Sequence, residues 1–276
     1  MRRTSGPTRA SARWLALREP ADAAARSADL VEQARKHLSS EEVLVVHDLG
    51  CGTGSMGRWL APRLDGPQHW VLHDRDADLL AVAAAAPPAA AADGAPVTVE
   101  VRERDITRLD RSEIDDAALV TASALLDTTT ADGLERLLAT VAGAGCPVLV
   151  TLTVTGRVDL TPSDPFDPRV EAAFNAHQRR TTAAGRLLGP DAVSAAVDGF
   201  RRHGFDVLVR RSPWRLGPDR AALAAEWFTG WLAAACEQRP DLSAQAATYG
   251  ERRSAEAAAG RLGVVVHHQD LLALPR

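Results

Sequence analysis

Residues 43–57 read VLVVHDLGCGTGSMG, and this stretch contains the clearest signal in the chain. An apolar run ends at Asp48, and glycine then stands at every second position, at 50, 52 and 54. Glycine adopts the left-handed torsions of a tight strand-to-helix turn at little cost, and it has no side chain to keep a ligand away from the backbone. The pattern therefore predicts a strand that turns into a helix around a nucleotide-like ligand.

Two classes of ligand suit such a turn. Gly52, Gly54 and Gly57 have the Gly-x-Gly-x-x-Gly spacing with which dinucleotide folds bind a pyrophosphate. A carboxylate at Asp48 would repel a pyrophosphate, whereas it suits a ligand that carries an ammonium group and no phosphate. Asp48 therefore favours the second class, and an NAD(P)-dependent oxidoreductase stays as the alternative.

Asp48, Gly50, Gly52 and Gly54 resemble motif I, Asp/Glu-x-Gly-x-Gly-x-Gly, of the class I S-adenosylmethionine-dependent methyltransferases. Residues 14–26 resemble the N-terminal segment of bacterial members that act on small molecules. The resemblance implies S-adenosylmethionine as the cofactor and methyl transfer to a small molecule as the function. A non-catalytic protein that keeps the cofactor pocket is a further alternative.

The resemblance also assigns cofactor contacts outside the glycine turn. Asp74 follows Gly54 by 20 residues and ends the predicted second strand, where the family has an acid that accepts hydrogen bonds from the ribose hydroxyls. Asp105 and Ile106 follow the third strand, as the family's adenine-binding pair does. The whole implied set is Asp48, Gly50, Cys51, Gly52, Gly54, Asp74, Arg75, Asp105, Ile106, Ser123 at the end of strand four, and Arg26 or Arg18 for the cofactor carboxylate.

Short apolar strands alternate with helical segments, which predicts an α/β fold with a doubly wound, mostly parallel sheet. The resemblance makes it seven-stranded with an antiparallel last strand at 262–268. The predicted domains are an N-terminal helical cover at 1–40, in which Pro20 interrupts the helical pattern, and a methyltransferase domain at 41–276. Within the second domain, strand five is predicted at 146–154, and helical insertions at 155–190 and 213–260 are expected to bind the substrate.

The first insertion contains the candidate substrate residues Asn175, His177 and Arg179, and Asp127 begins the loop after strand four. An imidazole can take up a proton near pH 7, so His177 is either a general base or a structural histidine. Arg179 and the arginines at 180, 186 and 215 either bind a carboxylate or phosphate or form a solvated basic face. An acidic small molecule is therefore one option for the acceptor.

Several features exclude other classes of function. The net charge of −4 provides no global basic field for nucleic acid, and no apolar run is long enough to cross a membrane. The three cysteines, odd in number, indicate free thiols in a reducing compartment, so we expect a cytoplasmic protein. Its expected oligomeric state is a monomer or a homodimer. The metal-dependent catechol type of the family has an Asp-Asn pair after strand five, and none follows strand five here, so the resemblance implies no metal. Trp227 and Trp231 lie four residues apart on one helical face and are predicted to anchor the core.

Overall fold

The computed structural model describes residues 10–38 and 42–276. In this part of the chain the strands are β1 (Leu44–Leu49), β2 (Gln68–Asp74), β3 (Val97–Glu103), β4 (Leu119–Ser123), β5 (Val148–Thr161), β6 (Thr181–Thr182), β7 (Gly185–Arg186), β8 (Phe205–Arg211), β9 (Trp214–Leu216) and β10 (Gly263–Pro275). The helices are α1 (Ala12–Ala25), α2 (Ala28–Arg35), α3 (Ser55–Leu60), α4 (Ala77–Ala85), α5 (Ala131–Ala144), α6 (Asp167–Gln178), α7 (Ala192–Arg202), α8 (Ala221–Gln238) and α9 (Ser243–Ala258).

The main sheet confirms the predicted α/β class. Its strand order is β3-β2-β1-β4-β5-β10-β8, and β10 runs antiparallel to both of its neighbours. The four pairs among β1 to β5 are parallel, so the carboxyl ends of these strands lie at one edge of the sheet. The short strand β9 pairs with the first part of β10 as an eighth strand. The predicted antiparallel last strand is therefore confirmed, and ligands of such sheets bind at the edge where the parallel strands end.

The two strands of the antiparallel pair, β5 and β10, are both longer than predicted. β5 continues to Thr161, so residues 155–161 of the predicted first insertion extend the sheet. β10 reaches Pro275 because its apolar end, Leu271 to Ala273, is buried between β5 and β8. Beyond the parallel strands, β5 and β10 form a ribbon that projects over the edge where ligands bind.

The sequence analysis expected Pro20 to interrupt the N-terminal helix, and this expectation is wrong. α1 runs through this proline to Ala25, and the chain breaks instead at Arg26, after which Ser27 caps α2 by accepting from the Leu30 N–H. A proline removes one helical hydrogen bond. Packing of α1 against the rest of the molecule, for example through buried Ala21, offsets that loss. Of the predicted cover, residues 1–9 and 39–40 lie outside the described residues.

Three apolar clusters form the core. One lies between the sheet and α5 and α7, and a second lies between the other face and α2, α3 and α4. The third joins α1, β9 and the helices of both insertions, α6, α8 and α9. Within it, the guanidinium of Arg253, which is 1% exposed, donates to both oxygens of Asp167 at 2.7 and 2.9 Å. Because breaking a buried ion pair costs about 3–5 kcal/mol, this contact fixes α9 against α6.

None of the helices in the described residues is long and apolar enough to cross a membrane.

Candidate functional site

The glycine turn joins β1 to α3 and has the backbone that its sequence predicts. Gly50, Gly52 and Gly54 have φ of +67°, +55° and +80°, which side-chain-bearing residues rarely adopt. A Cβ atom on Gly50 would lie 2.8 Å from Leu125 Cδ1, so a larger residue there would have to displace the Leu125 side chain. The backbone carbonyl of His73 accepts from the N–H groups of residues 50 and 51, which fixes the turn against β2. The buried thiol of residue 51 has its pKa raised by burial and is therefore neutral.

Asp48 is fully buried below this turn. Its Oδ1 accepts a hydrogen bond from Thr121 Oγ1 at 2.8 Å, and its Oδ2 has no partner among the described residues. Burial raises the pKa of the Asp48 carboxyl to about 7, although Thr121 and the positive charge of Arg26 oppose that shift. A buried carboxylate oxygen without a partner is costly and indicates a place where a ligand or water donates.

Arg26 reaches the same place from the N-terminal segment. One of its terminal nitrogens donates to Ser55 Oγ and to Ser123 Oγ, both at 3.1 Å, and its guanidinium lies 5.5 Å from the centre of the Trp59 ring. The side chain is buried, its Nε has no partner, and burial lowers its pKa. The structure therefore brings together Arg26, Ser123 and the glycine turn, three parts of the chain that the resemblance had assigned to one ligand.

Asp74 ends β2 beside the turn. Its Oδ2 accepts from the Gly52 N–H at 2.9 Å and its Oδ1 accepts from the Asp76 N–H at 3.0 Å. The carboxylate is half-buried, and each oxygen keeps capacity for a further donor. Arg75 next to it is exposed to solvent.

Asp105 and Ile106 follow β3 at the same sheet edge. Asp105 is exposed and accepts from the Thr107 N–H and hydroxyl at 3.0 and 2.7 Å, and these bonds lower the pKa of its carboxyl. Ile106 is half-buried and packs against the core. The end of β3 therefore presents an exposed carboxylate, that of Asp105, next to the apolar side chain of Ile106.

A cavity of about 550 Å³ opens beside these residues, between the sheet edge, the β5–β10 ribbon and the insertion helices. Its apolar walls are mostly rings and aliphatic chains from α1, β5, α6, β9 and α8. The lining residues are Trp14, Arg18, Ala124, Asp127, Leu152, Val154, Gly156, Arg157, Val158, Phe174, Asn175, Gln178, Trp214, Glu226, Trp227, Gly230, Trp231, Val266, His267 and His268.

Two residues where the cavity meets the sheet have strained backbones. Ala124 after β4 and Leu152 within β5 have φ of +51° and +58°, values that non-glycine residues seldom adopt. The Leu152 N–H donates to the buried carboxylate of Asp270 at 2.7 Å, and the other oxygen of Asp270 accepts from the Ser27 N–H at 2.8 Å. Asp270 therefore connects this edge of the sheet to the N-terminal helices, and such strain is typical of functional sites.

The substrate-side candidates separate into two groups. Asp127 and Asn175, two of the predicted substrate-binding residues, line the cavity. His177 does not line it: its Nε2 lies 3.5 Å from Glu237 Oε2, and burial lowers its pKa. Arg179 does not line it either, because its guanidinium makes two hydrogen bonds of 2.6 Å to Asp191. The reason is helical spacing, since residues 174, 175 and 178 of α6 face the cavity and residue 177 points elsewhere.

Sequence reasoning missed most of the cavity wall. Trp14, Trp214, Gln178 and His268 come from separate elements and form no local motif. The prediction that Trp231 anchors the core holds, since it is 1% exposed, but the same ring also lines the cavity. The one available signal was the Asn-x-x-Gln spacing in α6, which places two amides on one helical face.

Within the described residues, no group of three or more histidine, cysteine or acidic side chains is arranged to hold a metal ion.

Residues 46–144 match the family model described as "Methyltransferase domain". No curated protein matches the chain. Among solved structures, the chain is similar to the cyclopropane synthase MmaA2 from Mycobacterium tuberculosis, with 15% identity, a TM-score of 0.50, and coverage of 95% of this chain and 94% of that one. This likeness supports the fold alone.

Two further solved structures are among those similar to the chain. One is an SAM-dependent methyltransferase from Geobacter sulfurreducens in complex with S-adenosyl-L-homocysteine, with 17% identity, a TM-score of 0.45, and coverage of 96% and 98%. The other is a possible exported protein from Bordetella parapertussis, with 15% identity and a TM-score of 0.45; the match covers 90% of this chain but 66% of that one.

Proposed function

We propose that this chain, whose residues 46–144 match the methyltransferase domain, is a class I methyltransferase that transfers a methyl group from S-adenosylmethionine to a small molecule. The observation that carries the proposal is the cluster at the glycine turn. There, a positive-φ backbone lies between Asp48 and Asp74, and buried Arg26 closes it from the N-terminal side. The site opens beside a cavity large enough for a small substrate.

The residues present fit the cofactor. Asp48 Oδ2 and Arg26 Nε are buried polar atoms without partners, as a ligand with both an ammonium and a carboxylate group requires. In the proposed assignment Arg26 binds the carboxylate and Asp74 accepts from the ribose hydroxyls. Asp105 and Ile106 bind the adenine, while Gly50, Gly52 and Gly54 leave room for the ligand. When bound, S-adenosylmethionine supplies a methyl group on a positively charged sulfur.

The chain's own contribution is alignment and exclusion of water, since methyl transfer is an in-line displacement that needs no obligatory catalytic base. Ala124 and Asp127 lie where the cavity meets the end of β4, next to Ser123 of the proposed cofactor site. Burial raises the pKa of the Asp127 carboxyl, which makes this group better able to accept a proton from a substrate. Asp127 is accordingly the proposed substrate-binding carboxylate.

A turnover measurement tests this proposal. The protein is incubated with S-adenosylmethionine labelled in the transferred methyl group and with a panel of neutral, acidic and basic small molecules. Transfer of label to at least one compound is expected. If the protein binds the cofactor but labels none of the panel, the non-catalytic alternative replaces the enzyme. If it instead oxidises a compound with NAD(P), the oxidoreductase alternative is correct.

A further inference from the structure

The cavity wall is unusually rich in aromatic rings. Of the six tryptophans in the chain, four line it, and Phe174 joins them. Trp227 and Trp231 stack with their ring centres 5.4 Å apart and their planes inclined by 21°, and Phe174 lies 6.5 Å from Trp231. Flat aromatic surfaces pack well against planar rings and are stabilised by this contact beyond simple burial. The shape of the wall therefore favours a planar ring compound.

The same wall contains buried acceptors without partners. Asn175 Nδ2 donates to the Gly156 carbonyl at 2.8 Å, which fixes the orientation of the amide and leaves Oδ1 buried and unpaired. Gln178, one turn further along α6, also has its Oε1 buried and unpaired. An unsatisfied buried acceptor destabilises the protein, and a ligand that donates a hydrogen bond to it removes that cost.

One buried donor completes the set. Trp231 Nε1–H also has no partner among the described residues. A hydroxyl group both donates and accepts, so it matches a wall that offers acceptors and a donor, whereas an ether or a hydrocarbon does not.

The charges of the wall favour a neutral ligand. Two arginines line the cavity. The Nε of Arg18 donates to Asp22 at 2.9 Å, and the guanidinium of Arg157 donates to Asp159. These two guanidinium groups disfavour a cation. An anion, in turn, would be repelled by the unpaired amide oxygens of α6 and by the acidic side chains of Asp127 and Glu226, which also line the cavity.

We propose that the acceptor is a planar ring compound bearing a neutral hydroxyl group, and that Asn175 Oδ1 recognises this hydroxyl. That this compound is the methyl acceptor rests on the proposed function. Its binding is measurable without the cofactor, so a failure of this inference can be distinguished from a failure of the proposed function.

The test is calorimetric titration of the whole chain, without cofactor, with four naphthalene derivatives. These are 2-naphthol, its methyl ether 2-methoxynaphthalene, the anion 2-naphthoate and the cation 2-naphthylmethylammonium. The inference predicts that 2-naphthol binds at least about fivefold more tightly than the methyl ether, and more tightly than either ion. Equal affinity of 2-naphthol and its ether, or tightest binding of an ion, would overturn it.

Three variants assign the preference to Asn175. Asn175→Leu removes both the acceptor and the donor to Gly156, and we expect it to bind 2-naphthol and the ether equally. Asn175→Asp keeps an acceptor but loses the donor, and it should keep the preference; loss of the preference in this variant would refute the role of Oδ1. Arg169→Ala changes an exposed residue of the same helix outside the cavity and serves as the matched control, with the wild-type preference expected.

Discussion

The glycine turn and the cavity lie side by side but are built in different ways. The turn is formed by the backbone of one short stretch, in which three glycines adopt positive φ. The carbonyl of His73 and the carboxylate of Asp74, both on the neighbouring strand, accept hydrogen bonds from it. The cavity is lined by side chains from α1, β5, α6, β9, α8 and β10. A site formed by backbone conformation produces a sequence motif of consecutive residues, whereas a site assembled from distant side chains does not.

This contrast leads to a functional expectation. Changes at the turn should alter the binding of S-adenosylhomocysteine and leave the binding of 2-naphthol unchanged, and changes at Asn175 should do the reverse. Each prediction below tests this separation, beginning with the largest effect.

Asp48→Asn should stabilise the protein while weakening cofactor binding. The pKa of Asp48 is about 7 in the folded chain, against an ordinary value of 3.8. The folded state therefore keeps the proton between about pH 4 and pH 7, where the unfolded state has lost it, and the free energy of unfolding falls as the pH rises through that window. Asparagine removes this loss, so the variant should gain roughly 4 kcal/mol over wild type at pH 8.

Chemical denaturation at pH 4 and pH 8 measures this effect. An equal difference between variant and wild type at both pH values would show that Asp48 is not protonated in the folded state. Calorimetry with S-adenosylhomocysteine on the same variant should give about tenfold weaker binding, because an acceptor for a charged donor is lost.

Asp74→Asn should weaken S-adenosylhomocysteine binding by about 10- to 100-fold, because hydrogen bonds to a charged group contribute about 1.5–3 kcal/mol. Asp93→Asn is the matched control. Asp93 also accepts from two backbone N–H groups, those of Gly66 and Ala95, but it does not lie beside the turn. Unchanged affinity in Asp74→Asn, or an equal loss in the control, would refute the ribose assignment.

Gly52→Ala should weaken cofactor binding by about fivefold and lower the free energy of unfolding by about 1–2 kcal/mol, the cost of a left-handed alanine. Its Cβ would also lie 3.1 Å from Leu15 Cδ1 of α1. Gly94→Ala carries a similar cost, since Gly94 has φ of +84° with no atom within 4 Å of an added Cβ. The control should lose stability alone; a matching loss of affinity in Gly94→Ala would show that the effect is global.

His177→Gln should change turnover by less than about twofold, because the imidazole faces Glu237 rather than the cavity. Labelled methyl transfer gives the readout. A loss of more than tenfold in kcat with unchanged cofactor affinity would restore His177 as the general base.

The sequence allowed the fold and the backbone of the glycine turn to be predicted. The order of strands and helices follows from hydrophobic periodicity, and the positive φ of Gly50, Gly52 and Gly54 follows from torsions that glycine adopts easily. The antiparallel last strand, by contrast, was implied by the family resemblance. The prediction of a helix break at Pro20 was wrong because it used the local effect of proline alone, and the tertiary packing that stabilises α1 is not encoded in the neighbouring residues. Trp14 and Trp214 were missed for the same reason, since they come from separate elements that only the folded chain brings to one cavity.

The central claim is that the glycine turn binds S-adenosylmethionine and not a dinucleotide. Calorimetric titration of the wild-type chain with S-adenosylmethionine, S-adenosylhomocysteine and NADH tests it most directly. The account predicts binding of both sulfur compounds and no binding heat with NADH. Tight binding of NADH together with no response to either sulfur compound would contradict it.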